Sequence, residues 1–374
     1  MPDTLAAALS PQWLTAALRL RYPVVKVARV VAGPVVDRVS TNARFAIDLV
    51  GSAPPELPTR LCVKGYFNDV GGRARFIGES EAYFYRDVAD GLGVRTLRTL
   101  YADVEQETRH GVVLSADVAA GGGEFLDVRS SLGPSDVADS LSQLAGLHAA
   151  SWAAPAWTAA SWLEPRLGRA LQSWSQGQTI KRIETNLCGD NGSGIPTSWR
   201  DPQRLITAYT LLVNMAGAQQ NTPGWCVIHG DAHIGNFFLD ADRRPSLLDW
   251  QLVQRGMWYI DVGYHIGSAL DVDDRRRTER DLLAHYLDCL RAQGVSPPPW
   301  ESAWRDLGAG ILHGMFLWAI TTYVDPTTIA IMLNRLGTAA ADHSAHSPHL
   351  MRHDNALSGA SVSPLTTPIT KEPR

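Results

Sequence analysis

The stretch Val227-Ile-His-Gly-Asp-Ala-His-Ile-Gly-Asn-Phe-Phe-Leu239, followed after a short polar turn by Ser246-Leu-Leu-Asp-Trp250, decides the fold. Two apolar runs, Trp225-Cys-Val-Ile228 and Phe237-Phe-Leu239, bracket a loop that holds His229, Asp231, His233 and Asn236. A third run, Ser246-Leu-Leu248, delivers Asp249. Short apolar runs bounded by turn residues read as strands, so the local order is strand, loop, strand, turn, strand. Gly230 and Gly235 let the loop bend tightly, because a residue without Cβ meets few steric limits on φ and ψ.

The residue types in this loop suit phosphoryl transfer. Asp231 precedes Asn236 by five residues, the spacing of the kinase catalytic loop H-R-D-x-x-x-x-N, in which a further metal-binding Asp follows another strand. On that pattern Asp231 accepts the proton of an attacking hydroxyl, while Asn236 and Asp249 offer hard oxygen ligands to the Mg2+ that neutralises the phosphates of ATP. Transfer through a loose transition state needs positioning and electrostatics, and a rigid loop between strands supplies both. The same letters admit a metal-hydrolase site, with His229, Asp231, His233 and Asp249 as zinc or iron ligands. Asn236 argues against it, since an amide binds those metals weakly and is a usual magnesium ligand in kinases.

His229-Gly-Asp-x-His-x-Gly-Asn236 with Asp249-Trp250 resembles the signature of the aminoglycoside phosphotransferase and choline kinase superfamily, protein-kinase-like enzymes that phosphorylate small molecules. Leu144-Ala-x-Leu-His-Ala149 with Trp152, Asp249-Trp-Gln251, Asp261, and Leu282 to Gly294 with its Tyr286 resemble the ecdysteroid-kinase-like branch and its bacterial relatives. The resemblance spans about residues 10 to 340. It implies an α+β, bilobal protein-kinase-like fold, with a small antiparallel-sheet N-lobe over residues 1–116 and a large, mainly helical C-lobe over 117–350. It also implies ATP and Mg2+ as cofactors and a small-molecule hydroxyl acceptor as partner.

The upstream half supplies the matching pieces. Arg60-Leu-Cys-Val-Lys64 is an apolar, β-branched run ending in one of only four lysines among 34 basic residues, and it fits the strand lysine that holds the α- and β-phosphates. Gly78 to Ala89 has Ala82, Tyr85, Val88 and Ala89 at helical spacing, and Glu81 is the expected partner of Lys64. Glu79, nearer the helix start, is the alternative. Val30 to Val50 reads as two strands joined near Val39 to Asn42. The join lacks G-x-G-x-x-G, so Ser40, Thr41 and Asn42 would hold phosphate through backbone N–H groups and hydroxyls; a plain surface turn fits equally well. Gly111 to Val118 is a strand entering the glycine-rich hinge Ala119-Ala-Gly-Gly-Gly123. There the resemblance puts adenine against backbone groups around Asp117, between Ala116 and Val118.

Downstream, Val137 to Trp152 is a helix whose His148 is expected to brace the catalytic loop. His233 reads as structural, His229 as a residue that orients the loop, and Asp261 as an acceptor of backbone N–H bonds. Arg275-Arg-Arg277 sits among Asp271, Asp273, Asp274, Glu279 and Asp281 and is expected on a solvated face. The acceptor region is rich in aromatic residues, Trp157 and Trp174 among them, and Trp258, His313, Trp318 and Tyr323 are expected at its mouth with Tyr264 and Phe316. Such a pocket favours a bulky apolar alcohol over a polycationic sugar.

Composition excludes other classes. At 374 residues and 40.7 kDa the chain buries a large core, and a net charge of -4 with a pI near 6.3 leaves no basic surface for nucleic acid. Cys62, Cys188, Cys226 and Cys289 lie far apart and read as reduced thiols. No apolar run approaches the ~18 residues of a membrane span. The start lacks a basic n-region, so a cytoplasmic protein is expected. Residues 351–374 are small, polar and broken by proline, and are expected to be disordered. A nucleotide-binding module without transfer activity is the alternative function.

Overall fold

The computed structural model describes residues 1–72, 75–130, 132–154, 160–172, 176–344 and 346. The expected disordered tail and the two tryptophans Trp157 and Trp174 lie outside the described residues.

Helix α1 (Pro11–Arg19) starts where Ser10 accepts a hydrogen bond from the Trp13 N–H and Pro11 takes the first helical position. Strands β1 (Val27–Asp37), β2 (Thr41–Leu49), β3 (Arg60–Gly65), β4 (Thr99–Glu105) and β5 (His110–Ala116) form one antiparallel sheet in the order β1-β2-β3-β5-β4. Period-two alternation sorts their side chains onto two faces. Ala43, Phe45, Ile47, Leu61, Val63, Val112 and Leu114 pack with Leu14 and Leu18 of α1 on one face. Val113 turns the other way, toward Ala82, Phe84 and Tyr85 of helix α2 (Arg75–Asp87). The helix lies close because Gly78 and Gly111 face each other: a Cβ on Gly111 would come within 2.6 Å of the Gly78 carbonyl oxygen.

The two-residue strand β6 (Glu124–Phe125) follows the hinge, and the large lobe then adds helices α3 (Pro134–Ser151), α4 (Gln176–Cys188) and α5 (Pro202–Ala218). Strand β7 (Trp225–Ile228) leads into the loop that holds His229, Asp231 and Asn236, β8 (Phe237–Leu239) and β9 (Pro245–Leu247) flank the next turn, and β10 (Gln254–Met257) returns antiparallel to β7. Helices α6 (Tyr259–Ala269), α7 (Val272–Ala292), α8 (Trp300–Ile320) and α9 (Pro326–His343) complete the fold. Every residue of α6 is buried, an all-round apolar environment that only a central helix meets. Arg275 is the exception to the solvated face expected of its cluster: it is fully buried in α7, bonded to Glu279 and Asp342, while Arg276 and Arg277 are exposed. The fourth residue of α7 points at α9, so pairing alone did not reveal which arginine turns inward.

The lobes share one continuous core. Phe84 of α2 stacks on Trp250 at 3.7 Å between ring centroids, so the N-lobe helix rests directly on the turn that carries Asp249.

Candidate active site

Parity on β2 and β3 builds the cleft. With Leu61 and Val63 committed to the α1 face, Cys62 and Lys64 must point to the opposite face, and the even-numbered Ser40, Asn42 and Arg44 join them. These side chains line a cavity of about 240 Å³ with Glu81, Ala116, Asp117, Val118 and Asp249. Lys64 Nζ is 2.7 Å from Glu81 Oε2 and 2.8 Å from Asp249 Oδ1. Burial alone would lower the lysine, but Asp249 and Glu81 outweigh it and hold the ammonium well above its ordinary value. One cation thus serves two carboxylates. Burial pushes Glu81 up to about 7 against the opposing pull of Lys64, whereas at the half-buried Asp249 desolvation is outweighed by Lys64, which brings the carboxyl below its usual value. Glu79, two residues earlier, is bonded to Arg109 instead.

The loop after β7 is held from beneath. The backbone N–H groups of His229 and Gly230 donate to the two oxygens of Asp261 at 2.7 and 2.8 Å, and His148 Nε2 lies 3.2 Å from Asp261 Oδ2. All three are buried, and the partnership with His148 keeps the Asp261 carboxyl below the usual range despite its burial. His229 spends its ring on the backbone: Nε2 bonds the Leu248 carbonyl and Nδ1 accepts from the Asp231 N–H. With both ring nitrogens engaged, His229 is unsuited to the hydrolase-type metal cluster, and no group of three His, Cys, Asp or Glu suited to a metal occurs among the described residues. His233 caps the next turn by accepting from Gly235 N–H.

Asn236 Nδ2 donates to the backbone oxygen of Asp231 at 2.8 Å and to its Oδ2 at 3.1 Å. That fixes the amide, and its oxygen meets no donor among the described residues. The Leu248 N–H bonds the Asn236 carbonyl, bringing Asp249 alongside. Asp249 adopts φ 63°, ψ 60°, a left-handed conformation costly for a residue with a Cβ. Two oxygen donors, one amide and one carboxylate partly open to solvent, suit Mg2+, which takes few protein ligands and completes its shell with phosphate and water. At the hinge, the Val118 N–H has no partner among the described residues, as a purine-reading donor requires.

Three expected residues lie elsewhere. Thr41 shares the parity of Ala43 and Phe45, so it points away from the cavity, 2% exposed, and its hydroxyl bonds Asp37. Trp258 stands at the start of the central helix, 1% exposed and stacked on Tyr286, and forms core in place of a mouth. Tyr323 lies past the end of α8, 83% exposed, where no neighbouring element covers it. Trp318 packs edge-on against His233, and His313 is buried with Nε2 on the Gly230 carbonyl and Nδ1 on the Tyr209 hydroxyl. His313 therefore braces the loop from above as Asp261 does from below. Sequence reasoning missed His265, which bonds the Ala232 carbonyl through Nδ1, Tyr209, which bonds His313, and Arg166, which bonds the Gln251 carbonyl. None lies in a motif; each comes from a distant helix or turn.

No helix among the described residues is long and apolar enough to cross a membrane. Residues 123–299 match the Phosphotransferase enzyme family. The fold resembles that of a choline kinase from Cryptosporidium parvum, with 12% identity, a TM-score of 0.53, and coverage of 91% of this chain and 96% of that one. A choline/ethanolamine kinase family protein from Mesorhizobium loti aligns with 14% identity and a TM-score of 0.47, over 91% and 98% of the two chains. An aminoglycoside phosphotransferase from Alicyclobacillus acidocaldarius does so with 14% identity and a TM-score of 0.43, over 85% and 91%. No protein of curated function matches the chain in sequence. The family match over residues 123–299 and the kinase-like fold of the whole are what this chain shares with small-molecule phosphotransferases.

Proposed function

We propose that the protein is an ATP- and magnesium-dependent phosphotransferase that moves the γ-phosphoryl group to a hydroxyl of a small molecule. One observation supports the reading: Asp231 and Asn236 lie on one braced loop that is tied through Leu248 to Asp249, and Lys64 and Glu81 meet Asp249 across the cleft. Asp231 takes the hydroxyl proton as the acceptor oxygen bonds to phosphorus and the bond to the departing ADP breaks. Asn236 and Asp249 would hold Mg2+, which supplies charge neutralisation to the phosphates when bound. Lys64, aimed by Glu81, presents a fixed cation to the phosphates. Ser40 and Asn42 line the phosphate end, and Ala116 and Val118 the adenine end, of the same cavity. Within the superfamily we place the chain near the ecdysteroid-kinase-like branch, on the His148 and Asp261 elements that brace its loop.

The test is ADP release with Mg2+ and ATP across steroidal, terpenoid, amino-alcohol, macrolide and aminoglycoside acceptors, run beside Asp231→Asn. Acceptor-dependent release should fall roughly a thousandfold in the variant, the middle of the range for loss of a general base, while ATP binding persists. ATP binding with no Asp231-dependent release for any acceptor would point to a nucleotide-binding module and overturn the reading.

A further inference from the structure

Beside Gly230, on the His313 side of the loop, two cavities of about 180 and 460 Å³ share Leu167, Arg169 and Gln254 in their walls. The smaller is bounded by Gly230 of the catalytic loop and by Phe76, Leu252 and Leu317; the larger runs inward to Val213, Trp225 and Met257. Together they offer the volume of a drug-sized ligand pocket. Neither wall contains an Asp or Glu among the described residues. Their ionisable groups are Arg166, Arg169, Arg255, Tyr209 and His313; burial lowers His313 and raises Tyr209, which favours the neutral form of both.

Arg166 is the group without a match. Its guanidinium bonds only neutral oxygens, those of Gln251, Trp162 and Ser80, and no carboxylate among the described residues lies within ion-pair distance. Its Nε is buried with no partner, while Nη1 makes one bond, at 3.2 Å, and has a second N–H to give. Burial, reinforced by neighbouring Arg169, lowers the group to about 10. Glu79 and Glu164 attract the half-buried guanidinium only from beyond ion-pair distance, and a ligand that brings a carboxylate into contact offsets its desolvation.

We infer that the acceptor is a bulky apolar alcohol carrying a carboxylate, its apolar body in the two cavities and its carboxylate paired with Arg166. This rests on the phosphotransferase reading for the fate of the hydroxyl and on the cavity wall alone for the acid. Cationic amines meet arginine where they would need carboxylates, and are rejected.

The probes are cholic acid and ω-hydroxypalmitic acid, each beside its methyl ester, and a steroidal amine. With the full chain, ADP release gives KM and kcat in the presence of ATP and Mg2+, and calorimetry gives binding without ATP. At least one acid should exceed its ester by roughly 10- to 100-fold, the range of a charged hydrogen bond, with the difference in KM and in binding. Arg166→Met should bring that ratio near one with the KM for ATP unchanged, and Arg166→Lys should keep part of it. Esters equal to or better than acids on both scaffolds, tighter binding of the amine, or a ratio that survives Arg166→Met would overturn the inference. Transfer without acid preference leaves the phosphotransferase standing and removes the acid. Arg166-dependent acid binding without transfer supports the acid site and counts against the transfer.

Discussion

Lys64 condenses the logic of the site into one side chain. It lies between the buried carboxylate of Glu81 and the half-buried one of Asp249, which also belongs to the segment expected to bind metal. Lys64→Met removes the charge from both at once. We expect kcat/KM for ATP to fall roughly a hundredfold or more, comparable to the loss of one preorganised electrostatic donor, while arginine should rescue little because its fork does not replace a point charge. Steady-state kinetics at saturating acceptor decide it, and an unchanged kcat/KM would take Lys64 out of the phosphate site. Lys64, Asp231, Asn236 and Asp249 could be singled out in the sequence because each sits at a fixed spacing from a strand end. Thr41 was misread because three adjacent polar residues look alike in sequence, and only strand parity, set by where Phe45 and Ile47 find a core, turns the middle one inward.

At the scale of elements, α6 does two jobs. Its buried Asp261 holds the catalytic loop, and its back packs so closely on α8 that no side chain fits between. A Cβ on Gly310 would lie 1.9 Å from the Tyr259 carbonyl oxygen, and one on Gly263 would lie 2.3 Å from that of Leu307. Gly310→Ala should gain about 1 kcal/mol of helix propensity and lose more to the backbone clash, for a net destabilisation of about 2 kcal/mol. Activity should fall too, because α6 cannot shift without moving Asp261. Urea unfolding beside kcat measures both, and a neutral or stabilised variant would show that the two helices do not cross this closely. Helices α2 and α3 could be located from apolar periodicity. The close crossing could not, since a glycine inside a helix carries no mark of what faces it.

The whole molecule should respond to acid before its surface carboxylates titrate. His265 is buried and neutral, with Nδ1 on Ala232 O, Nε2 unpartnered, and burial lowering it to about 4 from 6.5. A group depressed on folding binds more protons in the unfolded chain between those values, so stability is full above about pH 6.5 and declines as pH falls toward 4. The loss from this residue is up to about 3 kcal/mol. Asp261, depressed by His148, extends the loss below the ordinary carboxyl range. Urea midpoints at successive pH values should show that slope, and His265→Gln should flatten it; an equal slope in the variant would assign the acid sensitivity elsewhere. By itself the sequence determined the two-lobed α+β plan and the strand and loop positions that carry Lys64, Asp231 and Asn236, because those depend on local spacing, strand period and helix period. Only the tertiary structure decided that Asp261, His148 and His313 clamp the loop, that Trp258 is core, and that Arg166 stands unpaired in an acid-free cavity. Those are contacts between residues tens to more than a hundred positions apart, and burial and missing partners exist only once the chain has closed on itself.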